Sequence, residues 1–75
     1  MKLVRVTWED TQFWGEDGWT KISDIGRQPA YIIETAGFLV YEDEFYIVVA
    51  HDYKEEKVEN ATKIPKAVVK NIAYE

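Results

Sequence analysis

Cysteine is absent from these 75 residues, and histidine and serine occur once each, as His51 and Ser23. Without thiols there can be no disulfide framework, and a single imidazole cannot build a Cys/His metal site. Nucleophilic catalysis needs a nucleophile, a base and an orienting group, so Ser23, His51 and Asp52 form the only triad the composition allows. His51 and Asp52 are chain neighbours, and on a strand their side chains point to opposite faces. A solvated His at a strand end is therefore the expected role. Glu42, Asp43 and Glu44 could supply paired carboxylates, but acids in a tight turn are ordinarily solvated, whereas an acid catalyst needs a raised pKa. No glycine-rich phosphate loop is present. Asp10, Glu16, Asp17 and Gly18 lack the one-three-five spacing of a calcium loop. These absences describe a non-enzyme with no metal and no cofactor.

Basic residues are also scarce, nine against fourteen acids, for a net charge of −5. The deficit is uneven: residues 1–52 hold ten acids and four bases, residues 53–75 four acids and five bases. Proteins that grip duplex DNA cluster Lys and Arg against its phosphates. Lys63, Lys66 and Lys70 are the only basic grouping, so long duplex nucleic acid is not an expected partner, although a small anionic ligand remains compatible. No apolar run approaches the ~20 residues of a membrane-spanning helix. Lys2 and Arg5 interrupt the opening segment, so no secretory-type apolar stretch is visible, and the cytoplasm is the default compartment.

What the chain does have is aromatic and β-branched residues. The hydrophobic share is 47% and the aromatic share 15%, enough for one small domain, residues 1–75, to build a dense core from few side chains. Leu3–Trp8 reads as a first strand with Val4, Val6 and Trp8 inward. Glu9–Gly18 reads as a loop, and Thr20 could cap a short helical turn through Ile22 and Ile25 that ends at Gly26. Residues 31–41 form a long strand whose internal Gly37 signals a bulge or sharp bend, with Phe38 beside it in the core. Glu42-Asp43-Glu44 is a tight turn, residues 45–51 the return strand, and residues 52–60 a charged loop. Residues 61–64 make a short strand, Pro65 breaks it, and residues 67–72 give a turn and a last strand. Five short strands, an internal glycine and one short helical turn predict a mainly-β fold, a small SH3-like or Sm-like barrel, closed or nearly so.

The order and spacing of several elements carry a resemblance. They are Trp8-Glu9-Asp10, Gly18-Trp19, Ala36-Gly37-Phe38-Leu39-Val40, Glu42-Asp43 with Tyr46-Ile47-Val48-Val49-Ala50, and Ile64-Pro65-Lys66 with Val69 and Ile72. On these residues the chain resembles a group of short, uncharacterised bacteriophage and prophage proteins. The Ile-Pro entry into the last strand is similar to SH3-type domains, but the Ala-Leu-Tyr-Asp-Tyr type segment of peptide-binding SH3 domains is missing. The resemblance implies a phage origin and a small barrel, and transfers no activity, since fold does not fix function.

The remaining signal is aromatic. Trp8 and Trp19 are expected to cover the open end of the barrel, with Trp19 also placed to join a contact surface. Phe13 and Trp14 are adjacent, so both cannot point inward. With Trp19 they mark a binding surface rimmed by Glu9, Asp10, Glu16 and Asp17, since Trp and Tyr carry much of the energy of protein interfaces. The reading is a phage-derived binding module that contacts a host protein or self-assembles as a homo-oligomer. Two alternatives stay open. One is an oligomeric binder of a nucleotide signal, with Lys63, Lys66 or Arg27 on phosphate; the other is an acidic decoy in the DNA site of a host enzyme.

Overall fold

The computed structural model describes residues 1–16 and 18–75. The chain forms five strands: β1 (Leu3–Asp10), β2 (Tyr31–Glu42), β3 (Tyr46–Lys54), β4 (Lys57–Pro65) and β5 (Val69–Tyr74). Helix among the described residues is confined to two 3-10 turns, Ile22–Asp24 and Lys66–Val68. Each strand pairs antiparallel with its neighbours in the order β4-β3-β2-β1-β5. The fold is mainly β, as the run of β-branched and aromatic residues requires.

The alternation in β1 works as expected. Val4 and Val6 are buried and Trp8 packs beside them, while Leu3 and Arg5 face out. Residues directly opposite in a ladder share a face, so Val6 fixes its partners: Thr35 on one side and Ile72 on the other. Ile47, Val49 and Ile64 complete the buried cluster, with Leu39, Val68, Val69 and Ile72 packed against it. Thr35 is the one polar side chain in this layer, and its Oγ1 accepts a hydrogen bond from Trp8 Nε1 at 3.0 Å. That bond lets an indole and a hydroxyl lie in an apolar layer without an unpaired polar atom.

The long strand departs from expectation in two ways. Gly37 does not make the bulge; the register slips at Val40, between the Leu39–Val49 and Tyr41–Val48 pairs. Gly37 instead permits a close approach of backbones, because a Cβ there would overlap the Ala50 carbonyl oxygen. Phe38 is not in the core. It stands on the opposite face from Gly37 and Leu39, half-buried, with its ring 6.2 Å from that of Tyr53 at a tilt of 51°. The alternation that turns Thr35 and Leu39 toward the buried cluster puts it on the other face.

Residues 52–60 are not a loop. β3 and β4 continue as a hairpin arm from the Asp52–Glu59 pair to Lys54–Lys57, closed by Glu55 and Glu56 at φ 51° and 61°. Two consecutive residues with positive φ are what a type I′ turn needs, and this turn matches the twist of a hairpin. Asn60, at φ 53°, donates from Nδ2 to Asp52 at 3.0 Å and steadies the arm's base. The expected cap also shifts. Lys21 precedes the first 3-10 turn without a side-chain bond, and Gly26 follows at φ 86°.

β4 and β5 occupy opposite ends of the strand order, yet only Lys66–Val68 separate them. In a flat sheet those edges would lie ~19 Å apart, at about 4.8 Å per strand. A 3-10 turn advances only ~2 Å per residue, so the sheet must curl. Polar contacts hold the curl. Lys66 N–H donates to the Phe45 carbonyl at 2.8 Å, Lys66 Nζ lies 2.6 Å from the Glu42 carboxylate, and the Tyr74 hydroxyl donates to the same carboxylate at 2.7 Å. No ladder joins β4 to β5. Closure of the sheet, as expected for a barrel, is therefore not reached: the second 3-10 turn spans the gap that a β4–β5 ladder would fill.

Candidate contact surface

Between the paired Asp10 and Tyr31 the chain makes an excursion, residues 11–30, before returning as β2. Gln12 Nε2 donates to the Pro29 carbonyl at 2.8 Å and ties its two stems. Gly15, Gly18 and Gly26 all adopt positive φ, and Gly18 N–H donates to the Gly15 carbonyl at 3.3 Å. These glycines reverse the chain where β-carbons would strain it. Residues 18–30 are exposed throughout.

This excursion carries most of the sequence-predicted site. Trp19 is fully exposed, so it is not a plug; only Trp8 lies against the core. Its neighbours from Gly18 to Ala30 are exposed as well, so among the described residues no layer covers the indole. Phe13 is 80% exposed and Trp14 half-buried, so of the pair expected on the contact surface only Phe13 stands largely in solvent. Phe13, Trp14 and Trp19 border one shallow depression with Gly15, Glu16 and Gly18. Glu9 and Asp10 sit at the end of β1 at the foot of the excursion. Glu9 pairs with Lys70 at 3.2 Å, and Asp10 accepts the Thr11 N–H at 2.8 Å. Asp17, also expected in the rim, lies outside the described residues.

Sequence reasoning missed Ile22, which is 87% exposed, and Ile25 beside it. Their three-residue spacing is the usual sign of a helix face turned inward. No residue of the turn is buried, so that signal misleads. Residues 9–30 hold five acids and two bases, giving an apolar surface within a negative field.

The other candidates do not assemble. Ser23 lies in the excursion, whereas His51 and Asp52 lie at the base of the hairpin arm, where Asp52 is bonded to Asn60. Glu42 is held below the usual carboxylate range by its hydrogen bond from Lys66 and then by Tyr74. Asp43 is lowered by the Tyr41 hydroxyl at 2.5 Å, then by the Phe45 and Tyr46 backbone N–H groups at 2.8 Å. Both shifts run opposite to what an acid catalyst requires. The basic grouping disperses: Lys66 pairs with Glu42, Lys70 with Glu9, and Lys63 stands 4.2 Å over the Tyr46 ring. Among the described residues no group of three or more acidic or imidazole side chains gathers as a metal site, and no helix is long and apolar enough to cross a membrane. Comparison with models of protein families, with curated proteins and with solved structures finds no match to this chain.

Proposed function

We propose that the chain is a non-enzymatic protein-binding module of phage origin that uses the β1–β2 excursion to hold a host protein in the cytoplasm. The observation that carries this reading is the standing of Trp19, Phe13 and Ile22, each at least 80% exposed, on one acidic excursion. Scattered exposed apolar residues are normal, but contiguous ones rimmed by polar groups mark interaction sites. Trp19 and Phe13 serve as anchors, with Trp14 flanking them. Glu9, Asp10 and Glu16 form a rim that favours a basic partner surface and speeds encounter with it. The net negative charge of the excursion argues against a second copy as its occupant. The nucleotide alternative loses support from the pairing of Lys66 with Glu42 and the stacking of Lys63 on Tyr46, which spread apart two of the cations it would use.

The strand order and the three-residue connection between β4 and β5 support reading the curled sheet as an SH3-like or Sm-like barrel left open at that seam. The test of function is capture from host extract. Wild-type protein should retain a partner that Trp19→Ala loses, since truncating a central interface Trp commonly costs 2 kcal/mol or more. Retention of the same partner by Trp19→Ala and Phe13→Ala alike would remove the excursion as its site.

A further inference from the structure

The sheet leaves unpaired the outer edges of β4 and β5, one edge of β2, and the facing stretch of β3, His51–Lys54, which carries a histidine, an aspartate and a lysine; they are not protected alike. The outer edge of β4 carries Lys57, Glu59, Lys63 and Pro65, and Asn60 at φ 53° interrupts its extended run. β5 is only six residues long and carries Lys70. Lysine, proline, irregular backbone and short length are the devices that keep an edge from pairing with another chain. The third edge belongs to β2. From Tyr31 to Gly37 this strand pairs with β1 alone, because the ladder to β3 begins at Phe38. The segment Tyr31-Ile32-Ile33-Glu34-Thr35-Ala36 has one charge, no proline, no lysine and no bulge. Every second residue of it turns an N–H and a C=O away from β1, into the fork between β2 and the β3–β4 arm, where no ladder takes them up.

We infer that this edge of β2 pairs antiparallel with the same edge of a second copy, making a symmetric dimer with a continuous sheet. A strand edge is self-complementary under a twofold axis, and small domains gain stability by such pairing. The surface to be covered is available. A compact monomer of 8.8 kDa would expose about 4,800 Å², whereas this chain exposes 6114 Å². The excess is larger than the ~800 Å² that each partner buries in a standard interface. Its radius of gyration, 15.6 Å, likewise exceeds the ~11 Å of a compact domain of this length. Symmetry also selects the register. A twofold axis perpendicular to the sheet keeps each face, so a residue must oppose one of its own parity. A register centred on Glu34 would set two carboxylates directly opposite, which is unfavourable. The register centred on Ile33 avoids this and places Glu34 opposite Ile32, whose side chain is half exposed.

Sedimentation of the full chain and of three variants tests the inference. Wild type should be a dimer at micromolar concentration. Ile32→Glu, which opposes Glu34 of the other copy as well as Glu9 of its own β1, should weaken the dimer at least tenfold, whereas Ile32→Lys should keep it. Val58→Glu on the β4 edge should leave it intact. Circular dichroism checks that each variant keeps its sheet. Hydrogen exchange adds a direct reading: the amides of residues 31–36 that are not bonded to β1 should slow as concentration rises. A wild-type monomer at high micromolar concentration overturns the inference. So does a dimer split by Val58→Glu rather than Ile32→Glu, equal behaviour of the two Ile32 variants, or exchange that ignores concentration. None of these outcomes bears on capture of a partner through Trp19, which lies in the excursion.

Discussion

The two ends of β1 lead into regions of opposite character. At its start Val4 and Val6 are sandwiched between β2 and β5 and vanish from the surface. Past Asp10 the chain is as rich in large apolar groups, yet Phe13, Trp19, Ile22 and Ile25 stand in solvent. Apolar character therefore does not place a side chain; a second layer does. A fully buried Val or Ile gains about 1.5–3 kcal/mol over an exposed one. The ladder end of the molecule realises that gain within a single chain. The excursion has no layer to fold onto, so most of its apolar surface stays in solvent.

The sharpest way to break this comparison is at the core. Ile47→Ala removes a fully buried side chain and should destabilise by about 2–5 kcal/mol, a large share of the stability of so small a domain. Denaturant titration that shows a loss below 1 kcal/mol would place Ile47 with the excursion residues. Gly37→Ala comes next. Its Cβ meets backbone at Ala50, which cannot swing aside as a flexible side chain would, and overpacking of this kind costs about 1–3 kcal/mol. A melting temperature equal to that of wild type would show that β2 and β3 can part at the crossing.

A smaller effect is expected at the seam. The lowered pKa values of Glu42 and Asp43 mean that the unfolded chain binds protons before the folded one does. The stability they contribute is present above the ordinary carboxylate range, near pH ~4, and is lost as pH falls through their folded values. Glu42→Gln should flatten part of that acid slope while changing stability little near neutrality, because exposed ion pairs contribute modestly. An acid-unfolding curve identical to that of wild type would remove Glu42 from the seam. The least effect on stability is expected in the excursion. Trp19→Ala should shift unfolding by no more than about 0.5 kcal/mol, and a loss on the scale of Ile47→Ala would mean that Trp19 is covered after all.

Much of the ladder was legible in the residues. The alternation of Val4, Val6 and Trp8 named the inner face correctly, and Glu42-Asp43-Glu44 marked the β2–β3 turn, where Asp43 caps the Phe45 and Tyr46 amides. Phe38 was misplaced because its apolar neighbours, Leu39 and Val40, blur the period-two pattern of β2. The hairpin arm was missed because Glu55 and Glu56 are unusual at positive φ, where Asn-Gly would have announced a type I′ turn. Within the site, Phe13, Trp14 and Trp19 could be named as aromatics on a loop, but Ile22 and Ile25 carried the spacing of a buried face.

Local chemistry set most of the strands, the inner face of β1 and the tight turn, because backbone preference and side-chain alternation act over a few residues. Which aromatics stay uncovered, which edge stays open and which lysines are neutralised depended on contacts between distant segments. Trp8 is partly buried and Trp19 exposed because Thr35 and the β5 strand reach one of them and leave the other in solvent. Lys66 is paired because the curl of the sheet brings Glu42 and Tyr74 to it. Burial and charge pairing are properties of the assembled sheet, and no stretch of residues contains them alone.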